Sequence, residues 1–211
     1  MLEMIIQYFS GFYGQLELAA TVLLIANVYL LAKEKLINYW FGLAGVLIFG
    51  YIFYGFNLYS DALLQWAFYA PLQIVGYYMW KYGRTLGETA SDAVDSMKIV
   101  TLSTSMRIFW VALILAMAAA LGYVMSGTDA SYPYLDALTT SMSIIASILL
   151  LKKVLENWIV WIVMDLIAIP LYYSKELYVT SGLYVIFLGL ATYGLITWMQ
   201  KRKTYEEMQN A

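Results

Sequence analysis

The chain has 211 residues, 63% of them hydrophobic and 12% charged, with 12 Lys and Arg against 14 Asp and Glu. Soluble domains run near ~45–50% apolar and ~25% charged, so this composition, with a mean hydropathy of +0.70, describes an integral membrane protein. The absence of cysteine and histidine removes thiol catalysis, Cys and His metal sites, Ser-His-Asp triads and histidine proton relays, and a net charge of −2 offers nothing to a nucleic acid.

The chain begins MLEMIIQYFSGFYG, with an acidic residue and no basic n-region, so no cleavable signal peptide is read there. Residues 1–14 are read as an interfacial segment on the outer side. A bilayer-spanning helix needs about 17–25 apolar residues. Seven such runs follow, at 15–32, 36–55, 62–80, 108–126, 135–151, 157–173 and 178–199. A chain of 211 residues cannot cover that many apolar helices with a polar shell. The polar stretch 81–107 is read as a cytoplasmic loop and 200–211 as a cytoplasmic tail. No GxxxxGK[ST] phosphate loop occurs.

With seven spans, one side receives Lys33, Lys35, Lys81, Arg84, Lys98, Arg107, Lys152, Lys153, Lys201, Arg202 and Lys203. The other side receives Lys175 alone, an 11-to-1 division of the 12 basic residues. The positive-inside rule then puts the C-terminus in the cytoplasm and the N-terminus outside.

An internal repeat organises these spans. LLAKEKLINYW (30–40) aligns with LLLKKVLENWI (149–159), 119 residues apart, bringing Lys33 to Lys152, Leu36 to Leu155 and Asn38 to Asn157. At that offset Glu17 meets Asp136, Tyr39 meets Trp158, Gly42 meets Trp161 and Val46 meets Asp165; Leu58-Tyr59 meets Leu177-Tyr178. After a one-residue slip, Gly76 and Trp80 fall on Gly194 and Trp198. Residues 15–80 and 135–199 thus read as two copies of one three-helix unit. A copy that followed directly would be inverted, so the single span 108–126 between them makes the repeats parallel. The expected fold is all-α and integral to the membrane: seven transmembrane helices, as two parallel three-helix repeats joined by a linker helix. Transporters built from such repeats hold substrate near the midplane at the repeat interface.

The sixth run, LENWIVWIVMDLIAIPLYY (155–173), keeps Asn157, Trp158, Trp161 and Asp165 among apolar residues. At about 100° per residue they fall at about 0°, 100°, 40° and 80°, within roughly a quarter turn. Lipid would leave so narrow a polar face unsatisfied, so it is expected to look into the bundle or a cavity. Structural readings stand beside this one: an interhelical hydrogen bond or a neutral acid for Asp165, interfacial anchoring for the tryptophans. Together the four offer aromatic faces, an amide and a negative charge, which suits a flat, partly cationic ligand. Glu156 points off that arc, near Lys152 and Lys153, and reads as a surface charge.

The first repeat offers Asn38 at the start of the second run, Trp40 beside it, and Gln65 and Gln73 about 80° apart in the third, near Trp66. Interhelical amide bonding is the alternative for each glutamine. Pro71 removes a backbone donor and is expected to kink that helix. Glu17 and Asp136, near the outer side, either draw in cations or cap helix starts. No zinc ligand set and no nucleophile-plus-base pair is visible, so neither an enzyme nor a metal or cofactor is expected.

EKLINYWFG (34–42), LLQ…PLQIVGYYMW (63–80), KELYVTSGLYVIF (175–187) and above all ENWIVWIVMD (156–165), with its WxxW element after asparagine, resemble the Pnu family of bacterial vitamin transporters. The resemblance covers nearly the whole chain. It implies a three-plus-one-plus-three fold similar to SWEET sugar transporters and a homotrimer in the bacterial cytoplasmic (inner) membrane. It also implies facilitated diffusion, made one-way by a cytosolic kinase that phosphorylates the vitamin. Asn157, Trp158 and Trp161 become substrate-binding candidates, and Gln73 falls where relatives carry an amide. Asp165 departs from the pattern, because some relatives have an amide there. Nicotinamide riboside, a pyridinium, is the expected substrate; thiamine is the close alternative and uncharged riboflavin the weaker one. A non-transporting structural membrane protein is the reading from another class.

Overall fold

The structure, a computed structural model, describes residues 10–55, 62–82, 98–127, 132–174 and 178–210. They belong to two compact units, residues 1–96 and 97–211. The nine N-terminal residues, Leu58-Tyr59, Arg84 and Lys175 lie outside the described residues, as does most of the 81–107 stretch.

In the first unit, α1 (Phe12–Ala32) packs against α2 (Asn38–Gly55), and α2 against α3 (Ala70–Tyr82). A π-helical turn, Leu64–Tyr69, leads into α3, and the Ala70 N–H donates to the Gln65 carbonyl five residues back. Pro71 follows at once. Its missing N–H gives Ala67 no α-helical partner, and the wider turn stands where a kink was expected. The first helix begins at Phe12, so it takes up the end of the stretch read as interfacial.

The second unit contains α4 (Thr104–Met125), α5 (Pro133–Leu151), α6 (Glu156–Ser174) and α7 (Tyr178–Asn210), each packed on the next. Its core gathers Ile114, Met142, Ile145, Leu149, Val154, Met164 and Ala168. Ser103 caps α4 by accepting the Met106 N–H at 3.4 Å. Helix α7 runs on through the stretch read as a tail. At 33 residues it is about 50 Å long, well past the ~30 Å hydrocarbon core, and its last turns are polar.

Among the described residues, five helices are long and apolar enough to cross a membrane: α1, α4, α5, α6, and Thr180–Tyr205 of α7. Their outward residues are apolar, including Val111, Leu115, Val124, Val185 and Ile186, each about half exposed or more. Such surfaces need lipid as solvent, and the chain is a multi-pass membrane protein. The second and third expected spans are weaker. Helix α2 is 18 residues, about 27 Å, and includes Asn38, Trp40 and three tyrosines; the third is divided by the π-turn.

Two corners share one backbone. After α1, Lys33 ends the helix and Glu34 takes φ 56°; after α5, Lys152 ends the helix and Lys153 takes φ 50°. At the first, the Glu34 and Lys35 N–H groups donate to Leu31 and Leu30 at 2.9 Å each. At the second, those of Lys153 and Val154 donate to Leu150 and Leu149 at 2.9 and 3.0 Å. Both are helix-ending motifs that usually place glycine at the left-handed position. A glutamate and a lysine there bear a conformation that costs L-residues roughly 1 kcal/mol or more. Each corner then restarts a helix with an asparagine: Asn38 Nδ2 donates to the Lys35 carbonyl and Asn157 Nδ2 to that of Val154, both at 2.7 Å.

Candidate functional site

On α6, Asn157 and Trp158 follow the second corner directly, and Asp165 lies two turns deeper. Nine residues beyond Glu156 put Asp165 about 13 Å along a helix of about 28 Å, near mid-depth. Asn157, Trp158 and Asp165 are 0, 1 and 1% exposed. Trp161 is partly buried and packs against the core of the second unit. The shared arc read from the helical period therefore does turn inward.

What distinguishes this face is unmet hydrogen-bonding capacity. Asn157 Oδ1, Asp165 Oδ1 and Trp158 Nε1 are buried with no protein partner. Most buried side-chain polar atoms find one, and leaving one unmet costs on the order of 1–3 kcal/mol. Two acceptors and one donor within two and a half turns of one helix are suited to a ligand that supplies both kinds of group. The Trp158 ring stands edge-on to Trp198, centroids 5.4 Å apart and planes at 89°. Gly194 makes room for it, since a Cβ there would lie 2.6–2.7 Å from the indole.

In the first unit, Tyr39 meets Trp80 in the same way, also at 5.4 Å and 89°. Asn38 is fully buried, but its amide oxygen is engaged. Asn27 Nδ2, from α1, reaches Asn38 O at 2.8 Å and Asn38 Oδ1 at 3.3 Å. Gln73 completes the cluster: a Cβ on Gly42 would lie 2.5 Å from Gln73 Oε1 and 2.7 Å from Asn27 Nδ2. So Gln73 and Asn27 meet over Gly42, and Asn27 links that point to Asn38. Gln73 also lines an open groove of about 180 Å³ with Tyr39, Trp40 and Tyr77, where Trp40 tilts against Tyr77 at 5.5 Å. Gln65 lies in the π-turn, whose geometry replaces the regular-helix angle that paired it with Gln73. Trp66 donates to the Leu47 carbonyl at 3.3 Å.

Two features escape the sequence reading. Asn27 is a lone amide in an apolar run, and its burial at 7% exposure demands a partner; that demand is the signal for it. Glu156 is not a surface charge. It is 9% exposed and accepts the Leu102 N–H at 3.1 and 3.2 Å, Arg107 Nε at 3.0 Å and the second Arg107 nitrogen at 2.9 Å. Val100 reinforces this strap, donating to the Lys153 carbonyl at 3.1 Å and accepting from the Leu155 N–H at 2.8 Å. The end of the stretch read as a loop is thus tied to the helix start that carries Asn157.

Asp136 sits in the first turn of α5, behind Pro133 at the helix start, where its charge suits the helix dipole. Among the described residues no cluster of acidic side chains has the makings of a metal site.

Comparison with known proteins assigns this arrangement to a context. A family model described as nicotinamide mononucleotide transporter matches residues 14–200. The nicotinamide riboside transporter PnuC of Neisseria mucosa is 30% identical over 197 residues, 88% of this chain and 72% of that protein. The protein of the same name from Escherichia coli is 27% identical over 207 residues, 89% of this chain and 86% of the relative. A riboflavin/roseoflavin transporter, RibM of Streptomyces davaonensis, is 26% identical over 74% of this chain and 70% of its own length. A crystal structure of the vitamin B3 transporter PnuC superposes with a TM-score of 0.71 at 29% identity, covering 90% of this chain and 83% of that one.

Proposed function

The chain belongs to the nicotinamide mononucleotide transporter family, a family of membrane transporters and not enzymes, and on that premise we propose that it carries nicotinamide riboside across the bacterial inner membrane. The observation that carries the choice of substrate is the buried Asp165 carboxylate, with one oxygen unmet, beside the unmet groups of Asn157 and Trp158. A pyridinium neutralises that carboxylate and stacks on indole, while the carboxamide and ribose hydroxyls supply donors and acceptors. The mononucleotide would bring a phosphate to the same acid, and like charges at low dielectric repel strongly, so the riboside is the better match. Thiamine, also a cation, is the rival substrate. Riboflavin, which the streptomycete relative's name includes, leaves Asp165 without a counter-charge.

Transport is by facilitated diffusion, with cytosolic phosphorylation trapping the product. The seven spans form two three-helix repeats around a single linking helix, in a homotrimer with the N-terminus outside and the C-terminus in the cytoplasm. The matched corners and the paired Tyr39–Trp80 and Trp158–Trp198 contacts support the repeat, and the distribution of basic residues supports the orientation. Asn157, Trp158, Trp161 and Asp165 bind substrate; of the first repeat's candidates, Gln73 and Trp40 line that unit's own groove, Gln65 lies in the π-turn, and Asn38 is held by Asn27.

Purified protein in tight liposomes is expected to exchange labelled nicotinamide riboside, faster than thiamine and much faster than riboflavin. No exchange of any of the three, with tight controls, rejects the transport reading; accumulation driven by an imposed proton gradient rejects simple facilitated diffusion.

A further inference from the structure

The two corners match closely in backbone, yet one asparagine oxygen is engaged and the other is not. The difference traces to residues neither corner contains. Asn27, which holds Asn38 Oδ1, lies five residues before the end of α1; five residues before the end of α5 stands Ala146, fully buried. Gln73, the second amide around Gly42, lies three residues before Gly76 and seven before Trp80. Three before Gly194 and seven before Trp198 stands Ala191, 3% exposed. Gly42 itself, four residues after Asn38, corresponds to Trp161, four after Asn157. At matching positions the first unit has a glycine and two amides, and the second an indole and two alanines. The exchange removes two hydrogen-bonding side chains. An alanine cannot donate, and Asn157 Oδ1 is unmet.

We propose that Ala146, with Ala191, is a specificity-determining position: by withholding the amide that Asn27 supplies in the first unit, it keeps Asn157 Oδ1 open to a hydroxyl or carboxamide N–H donor of the substrate. This rests on the transport reading and adds two residues whose side chains carry no polar group. It makes the second unit the one that reads the substrate's donors and the first unit the one whose corner is closed on itself. The equivalent positions then diverge by function: an amide at 27 locks a joint, and a methyl at 146 leaves a site.

The test is calorimetric titration of the purified full-length protein with nicotinamide riboside, alongside thermal unfolding. Ala146→Asn is expected to weaken binding at least tenfold without lowering the melting temperature, because the new amide engages Asn157. Ala146→Val adds bulk without a donor and is expected to hold affinity within about threefold. Asn27→Ala is expected to lower the melting temperature while affinity stays within twofold of wild type. Wild-type affinity in Ala146→Asn overturns the proposal, as does a Val variant that binds as poorly as the Asn variant. Should Ala146→Asn fail to fold, Asn27→Ala decides: a tenfold loss of affinity there overturns the proposal, and a purely thermal effect supports it. A wild-type protein that binds no nicotinamide riboside at all counts against the substrate reading instead.

Discussion

The corner between α1 and α2 and the corner between α5 and α6 are built on one backbone and put to different uses. Both end a helix with a lysine, pass through a left-handed residue at φ 56° or 50°, and restart with an asparagine whose Nδ2 donates three residues back at 2.7 Å. Beyond that frame they diverge. The first is closed from inside, by Asn27. The second is closed from outside, by the 100–107 strap on Glu156, and is left with unmet polar atoms within. The residue matching Glu156 in the first unit is Ile37, 54% exposed. A duplicated joint can therefore be rigid in both copies while the rigidity has different sources. Of the two corner asparagines, that of the copy braced from outside keeps its amide oxygen unmet, while that of the other is engaged by Asn27.

This contrast can be broken at several points. The largest thermal effect is expected from Glu156→Ala, which unties the Leu102 N–H shared between both carboxylate oxygens and the Arg107 pair; charge-assisted bonds of this kind contribute about 1.5–3 kcal/mol each. A drop in melting temperature of several degrees in detergent would follow, and an unchanged melting curve would show that the strap does not brace the corner. Gly194→Ala should come next. Its methyl meets the rigid Trp158 ring, and overpacking of that type costs about 1–3 kcal/mol, so both stability and riboside affinity should fall. Arg107→Ala removes only the exposed partner of the strap, 55% accessible at its side chain, and about 1 kcal/mol or less is expected. Ile37→Glu, with no strap to receive a carboxylate, should change stability by less than about 0.5 kcal/mol. A large effect at Ile37, matching that at Glu156, would mean the corners are braced alike.

Much of this was legible in the sequence, because the signals are periodic or repeated. Apolar runs located the helices to within a few residues, except that α7 runs on eleven residues past the end of its run at 199, and the LLAKEK and LLLKKV segments lie at the two corners. The inward turn of Asn157 and Asp165 followed from helical angles. Non-local pairing was not legible. Glu156 was misread because its partners, Leu102 and Arg107, are 54 and 49 residues away, joined by a single bridge with no strand pattern to announce it. The π-turn at Leu64–Tyr69 hides behind an ordinary helical composition, with only Pro71 to hint at it. Asn27 was passed over because it sits outside the repeated motif. Its meaning emerges only when the space around Gly42 is compared with that around Trp161.

Substrate binding by the polar face of α6 depends on its own side chains. The most direct measurement is the nicotinamide riboside affinity of Trp161→Ala and Asp165→Asn beside wild type, with thermal unfolding to show that both variants fold. At least a tenfold loss is expected in each with the melting temperature nearly kept; wild-type affinity in both folded variants would take substrate binding away from this face.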